Sequence, residues 1–196
     1  MKKFFLLLAV PAVLLLFSCD PADKDDPEKP QEYDIEFTAN VVEATAIPPM
    51  VVGMMLGIET DCHILSINMS DNGFNTLGFD MPNSTYFVAS LLYDLSGSDG
   101  DVIKVADGTY RYVPGSRDAG NLVLEMSYYT KTGEAIDEWT VEYLEDSYFT
   151  DAVLTVSTEG GAQRFDFTVT LEDGRTARAV YTGDVSFDEI DPGELM

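Results

Sequence analysis

The stretch Arg164-Phe165-Asp166-Phe167-Thr168-Val169-Thr170-Leu171 decides the fold class of this chain. Apolar residues occupy every second position in it, and polar residues occupy the positions between. Because successive side chains of a strand point to opposite faces, this alternation is typical of a strand with one buried face. Apolar positions recur from Ala177 to Tyr181, beyond Asp173-Gly174, a dipeptide typical of tight turns. We therefore predict a β-hairpin near the end of the chain.

The register of this hairpin follows from the side chains that its turn would bury. A two-residue turn would pair Val169 with Arg178 and place a charge beside the apolar face. A three-residue turn with Gly174 in the left-handed conformation pairs Phe167 with Ala179 instead. Since register follows the buried pattern, we predict the three-residue, bulged turn.

The same period-two pattern recurs upstream of the hairpin, and no helical periodicity extends beyond two turns. Alternating or apolar runs lie at 35–40, 63–69, 87–95, 122–129, 139–143 and 153–157. Turn signals separate them at Asp71-Asn72-Gly73, Asp107-Gly108, Thr132-Gly133 and Gly160-Gly161. Repeated strands and turns predict one all-β domain over Tyr33 to Asp188, a mostly antiparallel β-sandwich. A lipocalin-like β-barrel is the alternative, since successive long strands could also close up and down.

The segment Val41 to Ile58 is almost wholly apolar, but Pro48-Pro49 interrupts it. We predict two core strands that are joined at the prolines. If the segment is exposed instead, its methionines make it a candidate contact surface.

The amino terminus has the layout of an export signal. Lys2 and Lys3 precede an apolar run, Phe4 to Phe17, that is short for a membrane-spanning helix. Leu16-Phe17-Ser18-Cys19 resembles the lipobox of bacterial lipoproteins. The resemblance implies that residues 1–18 are a lipoprotein signal peptide, and that Cys19 becomes an acylated, palmitate-type anchor. A plain signal peptide or an uncleaved anchor is the alternative.

Residues 19–32 contain prolines and many charges but few apolar residues, so we expect a flexible, acidic tether. Lys24-Asp25-Asp26 resembles the acidic export tag of Bacteroidetes-type lipoproteins, which implies the outer face of the outer membrane. A solvated charge run, with the domain on the periplasmic face, is the alternative. Residues 189–196 are expected to form an acidic tail.

The composition is strongly acidic: 35 Asp and Glu residues against 11 Lys and Arg give a net charge of −24. Such a charge disfavours binding to nucleic acids and to anionic lipid headgroups. Lipidation of Cys19 would leave Cys62 as a lone thiol, and His63 is the single histidine. Neighbouring strand residues point to opposite faces, so Cys62 and His63 are not expected to act as a catalytic pair. These counts also exclude a zinc site built from Cys and His.

A second resemblance involves the segment Val105-Ala106-Asp107-Gly108-Thr109-Tyr110 and the later Asp173-Gly174 and Tyr181-Thr182-Gly183. These turns resemble hairpins of uncharacterised β-sandwich lipoproteins from Bacteroidetes. The resemblance implies fold and location, and those families offer no catalytic residues to transfer.

Two kinds of ligand site remain to be considered. The loop Asp94 to Asp101 offers oxygen ligands, but it lacks the glycine and glutamate positions of an EF-hand, so a solvated turn is favoured over calcium. Aromatic rings can cover the apolar face of a sugar, and Tyr129, Tyr148 and Trp139 are the candidate ligand contacts. The pattern favours core positions for Trp139 and Tyr143, which share a parity with Val141.

These observations favour a lipid-anchored cell-envelope protein that is a non-enzymatic binding or adhesion module for a glycan or a protein. We expect no cofactor. A structural or accessory subunit of an envelope complex is the second hypothesis, and an exposed patch at Val51 to Leu56 would favour it. A glycan-active hydrolase is the third, and it would require two carboxylates near an aromatic wall.

Overall fold

The structure, a computed structural model, describes residues 31–57, 59–75, 80–95, 104–124, 127–185 and 187–189. The chain divides into two units, Met1–Glu32 and Tyr33–Met196, and the elements below belong to the second. The predicted signal peptide, Cys19 and most of the tether lie outside the described residues, as do 96–101 of the candidate calcium loop and 190–196 of the tail. Across the ranges that are described, no helix is long and apolar enough to cross a membrane.

The described residues form eleven strands and one short helix. In chain order these are β1 (Ile35–Thr38), β2 (Val41–Ile47), α1 (Pro49–Leu56), β3 (His63–Ser70), β4 (Thr85–Tyr93), β5 (Gly108–Tyr112), β6 (Asn121–Leu122), β7 (Tyr128–Ala135), β8 (Val141–Glu159), β9 (Ala162–Leu171), β10 (Thr176–Gly183) and β11 (Phe187–Glu189).

The strands form one mostly antiparallel sheet that closes on itself. From β2 the antiparallel neighbours are β3, β4, β7, β8, β9 and β10 in turn. Only Ala39 and Asn40 separate β1 from β2, and β1 pairs in parallel with β10 while β2 pairs with β3. The continuous segment β1–β2 therefore joins both ends of the series. When β1–β2 is counted as one strand, the series contains an odd number of strands, and their directions alternate along it. The first and last strands therefore run in the same direction, so the pair that closes the series, β1 with β10, is parallel.

Two short strands complete the wall where β7 does not reach. β5 pairs with β8 and with β6, and β6 pairs with β4, so β4, β7, β8, β5 and β6 form a closed ring. The predicted all-β, mostly antiparallel fold is confirmed, and the closure is also compatible with the barrel alternative.

Aromatic side chains from opposite parts of the sheet meet in the core. Phe87 of β4 is fully buried, and its ring centroid lies 5.2 Å from that of Phe37, 5.4 Å from Tyr129, 5.7 Å from Phe149 and 6.1 Å from Phe167. Because apolar side chains fill the interior, a ligand site is expected on the outer face of the sheet.

The hairpin predicted from the sequence is confirmed in its register. Phe167 pairs with Ala179, and the pairs on either side keep the same register. Gly174 has a φ of +87°, and its N–H donates to the carbonyl oxygen of Leu171 at 2.9 Å. A left-handed glycine after a type I turn is the bulged, three-residue hairpin loop.

The prediction of two core strands over Val41 to Ile58 is wrong in its second half, which is the helix α1. Proline is tolerated in the first helical turn, because the N–H that it lacks has no partner within the helix there. Pro49 therefore begins α1. Val51 and Val52 are buried whereas Met50 and Met54 are exposed, so the apolar surface that would favour an accessory subunit is smaller than Val51 to Leu56.

The run 122–129 also differs from prediction, because it is not one continuous strand. β6 ends at Leu122, and β7 begins only at Tyr128. In between, the Ser127 hydroxyl donates to the carbonyl oxygen of Val123 at 2.6 Å and accepts from the N–H of Ser90 at 3.1 Å. The Ser127 hydroxyl therefore accepts a hydrogen bond from a backbone N–H of β4 at a point where the pairing of β4 with its neighbouring strands is interrupted.

Candidate functional site

A pocket on the outer face of the β7–β8 hairpin is the candidate site. Tyr128 lies directly opposite Tyr148, and Thr130 lies directly opposite Asp146. Directly opposed residues on adjacent strands share a face of the sheet, so these four side chains form one surface. The pocket has a volume of about 230 Å³, and we call it the tyrosine pocket. Its lining consists of Asp80, Tyr128, Thr130, Tyr143, Asp146 and Tyr148.

A β-bulge brings Tyr143 to this outer face. Lys131 pairs with Glu145 and the next residue, Thr132, pairs with Tyr143, so β8 has one extra residue at this point. In an unbroken strand Tyr143 would share the inner face with Glu145. A bulge reverses the parity of the residues beyond it and re-aims their side chains.

The predicted core positions of Trp139 and Tyr143 are both wrong, Tyr143 because of this bulge and Trp139 because it lies outside the strands. Tyr143 is 60% exposed and Trp139 is 57% exposed, whereas Val141 is buried. Trp139 lies in the loop between β7 and β8, where its indole N–H donates to Glu138 Oε1 at 2.9 Å. It does not line the tyrosine pocket.

The candidate contact Tyr129 requires a correction, because it is only 2% exposed. Because β7 is not a continuation of β6, the inward and outward positions on β7 do not follow from those on β6. Tyr129 points inward, and Tyr128 points outward. The Tyr129 hydroxyl donates to Glu145 Oε2 at 3.1 Å, and Glu145 also forms an ion pair with Arg175. Burial, followed by the Glu145 charge, raises the pKa of Tyr129 well above its usual value. Tyr129 is therefore a support on the inner side of the hairpin.

Tyr148 is the candidate contact that the structure places in the pocket, and it is 54% exposed. It also borders a larger cleft of about 620 Å³. The pairing of β8 with β7 ends at Tyr148 and its pairing with β5 begins at Val153, so the cleft lies where the wall is incomplete. Besides Tyr148, the cleft is lined by Tyr112, Leu124, Phe149 and Thr150.

Asp80 reaches the pocket from the segment before β4. The Tyr143 hydroxyl donates to Asp80 Oδ2 at 3.3 Å. Burial raises the pKa of Asp80 above its ordinary value, and the hydrogen bond from Tyr143 opposes part of that effect. In the part of the chain that the structure describes, the ion pairs involve neither Asp80 nor Asp146.

The two carboxylates also act on the tyrosines around them. Burial is the main reason why the pKa values of Tyr128 and Tyr143 are raised, and the negative charges of Asp80 and Asp146 raise them further. The phenols therefore remain neutral at physiological pH. The pocket offers hydroxyl groups, carboxylate oxygens and ring faces to a ligand, in a negative electrostatic environment.

Part of this site could have been found from the sequence. Tyr148 and Asp146 occupy alternate positions on β8, as Tyr128 and Thr130 do on β7. The sequence does not reveal that these residues share a face with Tyr143, because neither the start of β7 at Tyr128 nor the bulge in β8 can be read from it. No sequence pattern around Asp80 marks it as a site residue. It is 63 residues from Tyr143 in the sequence, and only the fold brings the two together.

The described residues contain no group of three or more His, Cys, Asp or Glu side chains that could hold a metal ion. Of the candidate calcium loop, only Asp94 and Leu95 are described. Cys62 is a half-buried free thiol that packs against the cluster containing Val52 of α1.

Comparison with known proteins gives no assignment. The chain has no significant match among protein-family models, among curated proteins or among solved structures.

Proposed function

We propose that this chain is a lipid-anchored cell-envelope protein, and that its β domain is a non-enzymatic binding module with the tyrosine pocket as the ligand site. The observation that carries the proposal is the exposure of Tyr143 and Tyr148 beside two carboxylates on one face of a hairpin. Clustered exposed aromatic residues are unfavourable in water unless a partner covers them, and their presence is typical of interaction sites.

Contacts between β7, β8 and their neighbours support this role, because they hold the outer face of the hairpin in place. The Thr130 hydroxyl donates to the carbonyl oxygen of Glu145 at 2.9 Å. Glu145 in turn contacts Tyr129 and Arg175. A site on a hairpin that is held by such hydrogen bonds and ion pairs loses little conformational entropy when a ligand binds, which favours affinity.

The binding experiment uses the full-length protein in a nonionic detergent on arrays of glycans and peptides. We expect the wild type to bind a defined subset of probes, and the Tyr143→Ala/Tyr148→Ala double variant to lose that binding. Tyr33→Ala is the matched control, because it removes a tyrosine near β1 rather than at β7–β8. Equal binding by the wild type and the double variant would contradict the proposal.

The location is tested separately. If Cys19 is acylated, then labelled palmitate is incorporated by the wild type and not by a Cys19→Ala variant. We propose the outer membrane with the domain facing outward, so protease added to intact cells should remove the domain. Protection on intact cells and cleavage after lysis would favour the periplasmic face instead.

A glycan-active hydrolase is the second candidate function, because the tyrosine pocket contains the two carboxylates that such an enzyme requires. Asp80, whose pKa is raised by burial, would be the general acid, and Asp146 would be the base or nucleophile. Release of reducing ends from a bound glycan by the wild type, and its loss in Asp80→Asn, would favour this function. Binding without any release favours the binding module.

A further inference from the structure

We propose that the tyrosine pocket receives a cationic side chain, the ammonium group of a lysine or the guanidinium group of an arginine, from a peptide segment of a protein partner. The proposal deepens the proposed function, on which it rests, by naming the ligand chemistry of the same site.

The first argument is charge complementarity. Asp80 and Asp146 face the pocket, and no Lys or Arg of the described residues pairs with either carboxylate. By contrast, the neighbouring inward carboxylate of Glu145 has an arginine partner, Arg175. Asp80 is half-buried and Asp146 is exposed. A half-buried carboxylate such as that of Asp80 is costly without a counter-charge, and a cation from a ligand would remove that cost. A neutral sugar would bury the charge further without compensating it.

The second argument is the aromatic wall. The pocket combines three tyrosines, and tyrosine ring faces attract cations at separations of up to about 6 Å. The same negative field that disfavours ionisation of Tyr128 and Tyr143 favours a positive group between them. Several aromatic rings combined with carboxylates form a cage typical of sites for ammonium groups.

The third argument is size, together with the neighbouring cleft. A volume of about 230 Å³ is below the range of roughly 300–1,000 Å³ that is usual for whole small-molecule ligands, and it suits one side chain. The cleft across Tyr148 has buried Phe149 and Leu124 in its lining. A peptide that places a basic residue in the pocket can therefore place an adjacent apolar residue in the cleft.

The experiment measures peptide binding to the full-length protein in nonionic detergent by isothermal titration calorimetry. The probe is Ac-Gly-Lys-Leu-Gly-amide, and the matched neutral probe has norleucine in place of lysine. We expect the lysine peptide to bind and the norleucine peptide to bind at least about tenfold more weakly. Asp80→Asn should weaken lysine-peptide binding about tenfold, whereas Glu159→Gln, an exposed charge at the far end of β8, should leave it within about twofold.

The outcomes separate this inference from the proposed function. Equal binding of the two peptides, or equal loss in Asp80→Asn and Glu159→Gln, would refute the cationic ligand, because the net acidic charge would then explain the attraction. A tetramer of N-acetylglucosamine that binds through Tyr143 and Tyr148 when the lysine peptide does not would also refute it, while the binding module would remain. If the tyrosine double variant also leaves array binding unchanged, then the proposed function fails as well.

Discussion

Replacing Phe87 with alanine tests whether the core described above holds the sheet closed. The Phe87 ring meets those of Phe37, Tyr129 and Phe167 edge to face, at interplanar angles of 87°, 90° and 84°. Tyr129 lies on β7, which pairs with β4, whereas Phe37 and Phe167 lie on β1 and β9, which do not. The substitution therefore removes contacts both to a neighbouring strand and to distant ones.

The magnitude follows from the burial and the ring contacts. Truncation of a fully buried phenylalanine costs about 3–5 kcal/mol, and edge-to-face pairs contribute about 0.5–1.5 kcal/mol each beyond the buried area. We therefore expect Phe87→Ala to lower the free energy of unfolding by about 4–5 kcal/mol, out of a total of roughly 5–15 kcal/mol. For a domain of this size that loss corresponds to a fall in Tm of roughly 10–20 °C.

The assay is urea unfolding of the full-length protein in nonionic detergent, followed by far-ultraviolet circular dichroism. Fluorescence is a poor reporter here, because the single tryptophan, Trp139, is already exposed in the folded state. Phe87→Leu should cost less, since leucine refills much of the volume. Val113→Ala, at an exposed position, should change stability by less than about 0.5 kcal/mol. A loss below about 1 kcal/mol in Phe87→Ala would refute the described packing.

Three further predictions concern charge, backbone strain and exposure. The Arg178 guanidinium, hydrogen-bonded to Asp166, holds the pKa of that carboxyl below its usual value, so its contribution is present above the unfolded pKa and is lost as pH falls through the folded one. Asp166→Asn should therefore cost about 1–2 kcal/mol at pH 7 and progressively less as the pH falls below about 4, and a cost that does not change with pH in urea titrations would contradict this. Gly174→Ala should cost about 1 kcal/mol because alanine disfavours a φ of +87°, whereas Gly108→Ala, whose φ lies outside the left-handed region and whose added Cβ meets only ordinary contacts, should cost less in the same assay. Acrylamide should quench Trp139 fluorescence nearly as well in the folded protein as in urea, and strong protection in the folded state would show that this residue is buried.

The sequence by itself determined the features that depend on neighbours along the chain. Alternation of apolar and polar residues predicted β structure, and the chemistry of Asp173-Gly174 together with the buried pattern predicted the register of Phe167 against Ala179. Both are local, because the period of a strand and the conformation of a turn are properties of a few consecutive residues. The helix α1 was missed where the local signal was ambiguous, since a proline pair can interrupt a strand or begin a helix.

Only the tertiary structure decided how the sheet closes and what its outer face presents. The parallel pairing of β1 with β10 joins segments more than a hundred residues apart, and period two contains no information about which strands are neighbours. The bulge that turns Tyr143 outward and the interruption that turns Tyr129 inward each change parity by one residue, which reverses a side chain completely. The pocket exists because the interruption places Tyr128, and the bulge places Tyr143, on the outer face. There Tyr143 lies within hydrogen-bonding distance of Asp80, and this contact between distant parts of the chain depends on the packing of the whole sheet.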